Sequence, residues 1–331
     1  MTPMPFRLPR RAAALLLALL LLPLAAACGS APAGQSGGPT AGATPASSPA
    51  AGSAVTARAG KVRVITTMSV LADMVRQVGG ERVEAENIIP IGAGPEDYQP
   101  TPSDAQKIAQ ADVLFFNGFG LESWLDDLFK SAAKPGMPMV AVARGLTPVD
   151  VGGKDFKEGN PHFWLSAVNG IQYVQAIRDA LIQVDPQGQD TYVRNAERYT
   201  QELSALHAEL HRMAETLPPE RRKLVTNHDA FPYFAQAYGF TVVGNVLSNP
   251  ESEPSAGDIA ALVQSIKREN VKAIFTEAQF SPRLTDTIAQ EAGVKVVANV
   301  YTDTLGDSSS GVTSYADMLR YDMKVIVDSL K

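Results

Sequence analysis

Four histidines and one cysteine supply the imidazole and thiol groups of this 331-residue chain. Two of the histidines sit in loop-like segments with other polar groups. His162 lies in Asn160-Pro161-His162-Phe163-Trp164, and His228 in Asn227-His228-Asp229. Carboxylates follow short β-rich runs in the same way. Glu96 and Asp97 come after residues 83–89, Glu277 after 271–276 and Asp303 after 294–300. Imidazoles and carboxylates gathered at strand ends can hold a divalent transition metal, because such ions take mixed nitrogen and oxygen donors. Each residue also has an ordinary reading. An acid after a strand often caps a helix or faces water. Asp303 with Gly306 fits a turn, and His162 beside Phe163 and Trp164 fits a packed core histidine.

The other pair, His207 and His211, stands four apart, which places both on one face of a helix. The residues between them are Ala208-Glu209-Leu210, so the Glu is displaced from a His-Glu-x-x-His arrangement. A solvated helix face is the better reading. No Ser/His/Asp or Cys/His arrangement is legible. Gly-Lys-Ser/Thr does not occur, and Gly118-Phe119-Gly120 lacks the third glycine of a dinucleotide loop. A single cysteine excludes an internal disulfide, a Cys-rich zinc site and an iron–sulfur cluster.

These donors need a scaffold, and the sequence describes one. Strand-like runs at 62–66, 83–89, 112–116 and 139–142 alternate with helix-like segments at 69–78, 103–111 and 121–133. A long pattern opens at Asp185-Pro186 and runs to Leu217, with Tyr192, Ala196, Tyr199, Leu203, Leu206, Leu210 and Met213 at spacings of three and four. Pro218-Pro219 stops it. Roughly 30 helical residues span about 45 Å, enough to cross two lobes. The alternation then resumes, with strands expected at 224–226, 241–246, 271–276 and 294–300, and helices at 230–238, 256–269, 282–292 and 314–330. The expected fold is α/β, two wound lobes joined by one long helix. The expected divisions are 61–184 for the first lobe, 185–218 for the linking helix and 219–331 for the second. No sequence repeat relates the lobes.

The first sixty residues read as address and tether. Arg7, Arg10 and Arg11 precede an Ala/Leu run at 12–22, which is short for a bilayer span but right for a signal peptide. Ala25-Ala26-Ala27 before Cys28 resembles a bacterial lipobox, although Ala25 and not Leu24 occupies the place where Leu is usual. Residues 1–27 are expected to be cleaved and Cys28 lipidated; an ordinary secretory signal is the alternative. Residues 28–60 are mostly Gly, Ala, Pro, Ser and Thr, which cannot offset their ordering entropy by burial. The formal charge of −6 gives no case for nucleic acid.

Taken together, several segments resemble one family, the metal-binding solute-binding lipoproteins of zinc/manganese-type ABC importers. They are Val78-Gly79-Gly80-Glu81-Arg82-Val83, Pro95-Glu96-Asp97-Tyr98-Gln99-Pro100-Thr101-Pro102-Ser103-Asp104, Asn117-Gly118-Phe119-Gly120-Leu121-Glu122, Asn160-Pro161-His162-Phe163-Trp164-Leu165, Asn227-His228-Asp229-Ala230-Phe231-Pro232, Phe275-Thr276-Glu277-Ala278-Gln279-Phe280 and Tyr301-Thr302-Asp303-Thr304-Leu305-Gly306. The resemblance covers nearly all of 61–331, in order. It implies Glu96, His162, His228 and Asp303 as metal ligands in the cleft between the two lobes, and a long linking helix that is rigid. The family commonly has His at the first position, so Glu96 is a departure, and Asp97 is the alternative donor there. Glu277, then Asp229, are expected to orient the ligating histidines. Trp164 and Tyr98 are expected to wall the cleft.

The resemblance implies capture and delivery, not catalysis, since a catalytic zinc normally keeps an open position. The cargo is Mn²⁺ or Zn²⁺, with Fe²⁺ also compatible. Two carboxylates, and the lack of any histidine between Leu121 and Gly159 where many zinc importers carry a His-rich loop, lean toward manganese; the usual affinity order pulls toward zinc. Implied partners are a permease, its ATPase and the membrane through a lipid anchor, with the receptor itself a monomer. Two readings from other classes remain: a surface metal-dependent hydrolase and an adhesin-like structural lipoprotein.

Overall fold

The structure, a computed structural model, describes residues 60–149, 158–248, 250, 253–277 and 279–331. The signal, Cys28 and the tether to residue 59 lie outside the described residues. Strand β1 (Val62–Thr66) buries four of its five residues, as suits β-branched side chains in a sheet covered on both faces. It pairs in parallel with β2 (Val83–Asn87) and β3 (Val113–Phe116), and β4 (Met139–Ala141) completes the order β2-β1-β3-β4. The crossovers are α1 (Ser69–Gly79), α2 (Pro102–Gln110) and α3 (Leu125–Ala132). Thr101 and Asp104 form a capping box that starts α2, with Pro102 in its first turn.

Two helices follow, α4 (Ala167–Val184) and α5 (Gln189–Glu215). At 27 residues, α5 is about 40 Å long. It buries Tyr192, Ala196, Tyr199, Leu203, Leu206 and Leu210 as the spacing predicts, but Ala214 replaces Met213 at the deep position. The helix also starts later than expected. Asp185 accepts from Arg82 (2.9 and 3.0 Å) and from the Tyr192 hydroxyl (2.6 Å), which ties Pro186–Gly188 into a 3-10 turn first.

The second sheet contains β5 (Lys223–Thr226), β6 (Thr241–Asn245), β7 (Ala273–Glu277) and β8 (Lys295–Val300), parallel, in the order β6-β5-β7-β8. Its crossovers are α6 (Pro232–Tyr238), α7 (Ala256–Arg268) and α8 (Arg283–Ala292), and α9 (Tyr315–Leu330) ends the chain. The lobes therefore share one topology without a legible sequence repeat. α5 packs on α1 and α4 on one side and on α6 and α9 on the other. One hydrophobic core runs through both lobes and these helices. Two smaller cores cover other sheet faces, around Ile65, Ile108 and Leu114, and around Val225, Ile266 and Ile274. A shared core of close-packed side chains favours small lobe shifts over wide opening. No described helix is long and apolar enough to cross a membrane.

Candidate metal centre

Four loops bring the candidate donors together. Glu96 follows β2 in a loop braced by Trp124, whose indole Nε1 donates to the Pro95 carbonyl at 2.8 Å. Tyr98 packs on Trp124, with ring centroids 5.2 Å apart, and its hydroxyl donates to Asp104. His162 stands at the start of a 3-10 turn, Phe163–Leu165. His228 lies just past the carboxyl end of β5, where the Thr226 hydroxyl donates to its carbonyl at 2.9 Å. Asp303 follows β8. β5 and β7 are the two inner strands of their sheet, β8 lies beside β7, and all run parallel, so His228, Glu277 and Asp303 emerge at one end of that sheet, where wound α/β folds bind ligands.

One donor atom from each of Glu96, His162, His228 and Asp303 lies within 4.8 Å of all the others. The two Nε2 atoms are 3.1 Å apart. Glu96 Oε1 is 3.3 Å from His162 Nε2 and 4.0 Å from His228 Nε2. Asp303 Oδ1 is 3.8 Å from His162 Nε2, and its Oδ2 is 3.7 Å from His228 Nε2. Metal–ligand bonds of about 2.0–2.2 Å separate neighbouring ligand atoms by roughly 3–3.5 Å, so the cluster needs little contraction to surround one ion. His162, His228 and Asp303 are buried, and Glu96 alone keeps a small solvent exposure. Both Glu96 oxygens and Asp303 Oδ1 lack hydrogen-bond partners. Such buried carboxylate oxygens are costly unless a cation meets them. Asp97 is exposed and outside the cluster.

The histidines are oriented from behind. Glu277 ends β7 and lies 2.8 Å from His228 Nδ1, while also accepting the His228 backbone N–H at 3.2 Å. Thr302 donates its hydroxyl to Glu277 at 2.6 Å. Asn160 does the same work for His162. Its Oδ1 accepts the His162 backbone N–H at 3.1 Å and faces Nδ1 at 3.0 Å. With Nδ1 engaged on each ring, both Nε2 atoms are turned to the centre. Asp229 places its charge near His162 and reaches the residue behind it. Its carbonyl accepts from Asn160 Nδ2 at 2.6 Å and its carboxylate does so at 3.4 Å, so it braces the residue behind His162. Trp164 is fully buried, packs 5.2 Å from the His162 ring and donates to the Thr302 carbonyl at 2.7 Å, tying the His162 turn to the Asp303 loop.

Charge at the site is unevenly distributed. Burial pushes Glu96 up to about 7 against the pull of His228. Burial, then the nearby Glu96, pushes Asp303 up to about 7. Burial, then neighbouring His228, lowers His162 to about 4. Burial also opposes a charge on His228, but Glu277, Asp303 and Glu96 outweigh it and raise His228 to about 10. A proton on His228 is thus the cation these carboxylates hold when no metal does.

Two residues beyond the expected set matter here, Asn160 and Gln279. Asn160 carries a local signal: an Asn two residues before a His can cap that residue's N–H. Gln279 donates to Asp303 Oδ2 at 2.8 Å across 24 positions, which no local pattern reveals.

The profile of the family described as zinc-uptake complex component A, periplasmic, matches residues 64–329. The manganese-binding lipoprotein MntA of Halalkalibacterium halodurans is 35% identical over 270 residues, covering 81% of this chain and 88% of that protein. Among solved structures, the Mn-bound periplasmic metal binding protein from Candidatus Liberibacter asiaticus superposes with a TM-score of 0.74 at 28% identity, over 82% of this chain and 100% of that one. The periplasmic zinc binding protein TroA from Treponema pallidum superposes with a TM-score of 0.75 at 28% identity, over 82% and 99%. Profile, relatives and architecture agree over both lobes, and the chain belongs to the periplasmic zinc-uptake component A family.

Proposed function

We propose that this protein is the extracytoplasmic receptor of a metal ABC importer, holding one divalent transition metal with Glu96, His162, His228 and Asp303. The convergence of these four donors on one buried point is the observation that carries the reading. Each histidine has its far nitrogen fixed, as metal ligands require. The unpartnered oxygens of Glu96 and Asp303 supply the negative charge that a cation needs. Family membership supports the transport role, and none of the relatives named above is a hydrolase.

The cargo is Mn²⁺ or Zn²⁺. Relatives carry both names. Two carboxylates beside two imidazoles lean toward Mn²⁺, the harder ion. The partners are the membrane permease, which receives the ion, and its ATPase. Lipidated Cys28 and the tether of residues 28–60 would hold a monomeric receptor at the outer face of the cell membrane. Lobes that share a core release cargo by small shifts and loop rearrangement.

Metal analysis of the purified protein and competitive titration with Mn²⁺ and Zn²⁺ test this. One ion per chain is expected, with binding tighter than about 1 μM. His228→Ala should weaken it by about 100-fold or more, since losing a ligand exceeds the usual cost of losing an outer partner. Failure of both ions to bind, or an unaffected His228→Ala variant, overturns the reading. Glu96→Ala compared with Asp97→Ala identifies the first donor, and loss is expected only for Glu96→Ala.

A further inference from the structure

Asp303 and Glu96 present their oxygens differently. Neither Glu96 oxygen has a hydrogen-bond partner, whereas Asp303 has only Oδ1 without one. Asp303 Oδ2 accepts from Gln279 Nε2 at 2.8 Å. The same nitrogen lies 2.9 Å from Thr302 Oγ1 and 3.2 Å from Glu277 Oε2. Reversing the Gln279 amide would set its Oε1 against a carboxylate oxygen of Asp303 and another of Glu277, so the network itself fixes the N–H toward Asp303. The Asp303 carboxylate is therefore pinned, with one oxygen shared.

This changes the count of donors. Two imidazole nitrogens, two Glu96 oxygens and Asp303 Oδ1 make five unshared by Gln279; Oδ2 would be the sixth. Zinc is content with four or five donors, whereas manganese favours six. An oxygen that already accepts an amide N–H is a weaker and more directional metal donor.

We propose that Gln279 is a selectivity-determining residue, which limits Asp303 to one effective donor oxygen and so tempers the preference of this oxygen-rich site for six-coordinate ions. The inference rests on the metal-capture reading above and concerns only the choice between ions. Removing the N–H frees Oδ2, lets Asp303 bind through both oxygens and favours manganese relative to zinc.

The test compares wild type with Gln279→Ala and Gln279→Met. The Met variant keeps the length and removes the donor. Mn²⁺ and Zn²⁺ dissociation constants are measured by competition, and Co²⁺ is loaded as a coordination probe. Both variants should lower the Mn²⁺-to-Zn²⁺ ratio of dissociation constants by about tenfold, the low end of what outer partners do at metal sites. The visible Co²⁺ bands should weaken, as they do when coordination rises to six. A purely structural role for Gln279 would weaken both ions alike and leave the Co²⁺ spectrum unmoved. An unchanged ratio and spectrum in the Met variant overturn this inference alone. A wild-type protein that takes up neither ion overturns the capture reading and this inference together.

Discussion

His162 and His228 meet at 3.1 Å, yet they are held by opposite means. A neutral carboxamide, Asn160, stands behind His162. A carboxylate, Glu277, stands behind His228. Both rings are buried, and their proton affinities still diverge, to about 4 for one and about 10 for the other. Burial, then the neighbouring His228, keeps His162 unprotonated throughout the physiological range, and the neutral Asn160 brings no charge to reverse this. The charged anchor, with Asp303 and Glu96, makes His228 the more basic ring, which in the proposed site would surrender a proton to a metal. The proposed site would thus join a donor that is always ready to one that exchanges its proton for a metal.

Neutralising the charged anchor should give the largest change. Glu277→Gln keeps the shape but removes the main charge that raises His228. At pH 9.5 metal affinity should fall by about 100-fold, the upper end for an outer partner of a ligating histidine. At pH 6 the fall should be smaller, because the variant has less proton to expel. Titrations at the two pH values check this, and an equal loss at both would break the contrast between the anchors.

Acidity is the next lever, and its direction follows from the raised values. A group whose folded pKa is raised keeps its proton in the metal-free protein, and metal must displace it. Binding should therefore weaken by roughly tenfold per pH unit from 9 to 7, as His228 alone is displaced. Below 7 the course should steepen, as Glu96 and Asp303 also hold protons. Stability of the metal-free fold runs the opposite way with pH. The raised His228 value contributes stability to the metal-free fold below about 6.5, and this is lost as pH rises through about 10. The gain in Tm on loading should then be larger at pH 9 than at pH 6. Calorimetry in buffers of different ionisation enthalpy counts the released protons directly. No release at pH 7 would contradict the proposed exchange.

How much of this was legible in the sequence depends on the range of each interaction. The alternation of strands and helices, and the seam of α5 from Tyr192 to Leu210, are periodic and were readable. The candidate donors Glu96, His162, His228 and Asp303 stand in short motifs. α4 is not legible in the sequence. Its apolar face is broken by Gly170, which lies directly beneath the Tyr315 ring; a Cβ there would come within 2.6 Å of the Tyr315 hydroxyl. That glycine reflects a close approach to α9, which a local pattern cannot register. Gln279 escaped for a similar reason, since its partners Thr302 and Asp303 are distant in sequence. Asp229 is expected from the sequence, after Glu277, among the residues that orient the histidines, and the contact it makes spans 69 positions. Its carbonyl accepts from the Asn160 amide, the group behind His162.

The neutral anchor can be sharpened by giving it a charge. Asn160→Asp would set a carboxylate beside His162 Nδ1 and raise that ring toward neutrality. Metal affinity at pH 7 should fall about tenfold, and the deficit should shrink at pH 9, where the added proton has gone. A deficit of the same size at both values would mean that Asn160 acts through its brace to Asp229 alone.

The smallest effect is expected from the histidine pair outside the site. His207 packs 5.4 Å from the Tyr238 ring, and His211 Nδ1 lies 3.3 Å from Glu215 on the same helix. Neither belongs to the donor cluster within the described residues. The His211–Glu215 pair is about half exposed, where such pairs contribute little. His211→Ala should shift stability by no more than about 0.5 kcal/mol and leave one metal ion per chain. Loss of a bound equivalent would place a second site on α5. It would also show that two imidazoles a turn apart, with only the half-exposed Glu215 beside them, can hold an ion without buried carboxylates.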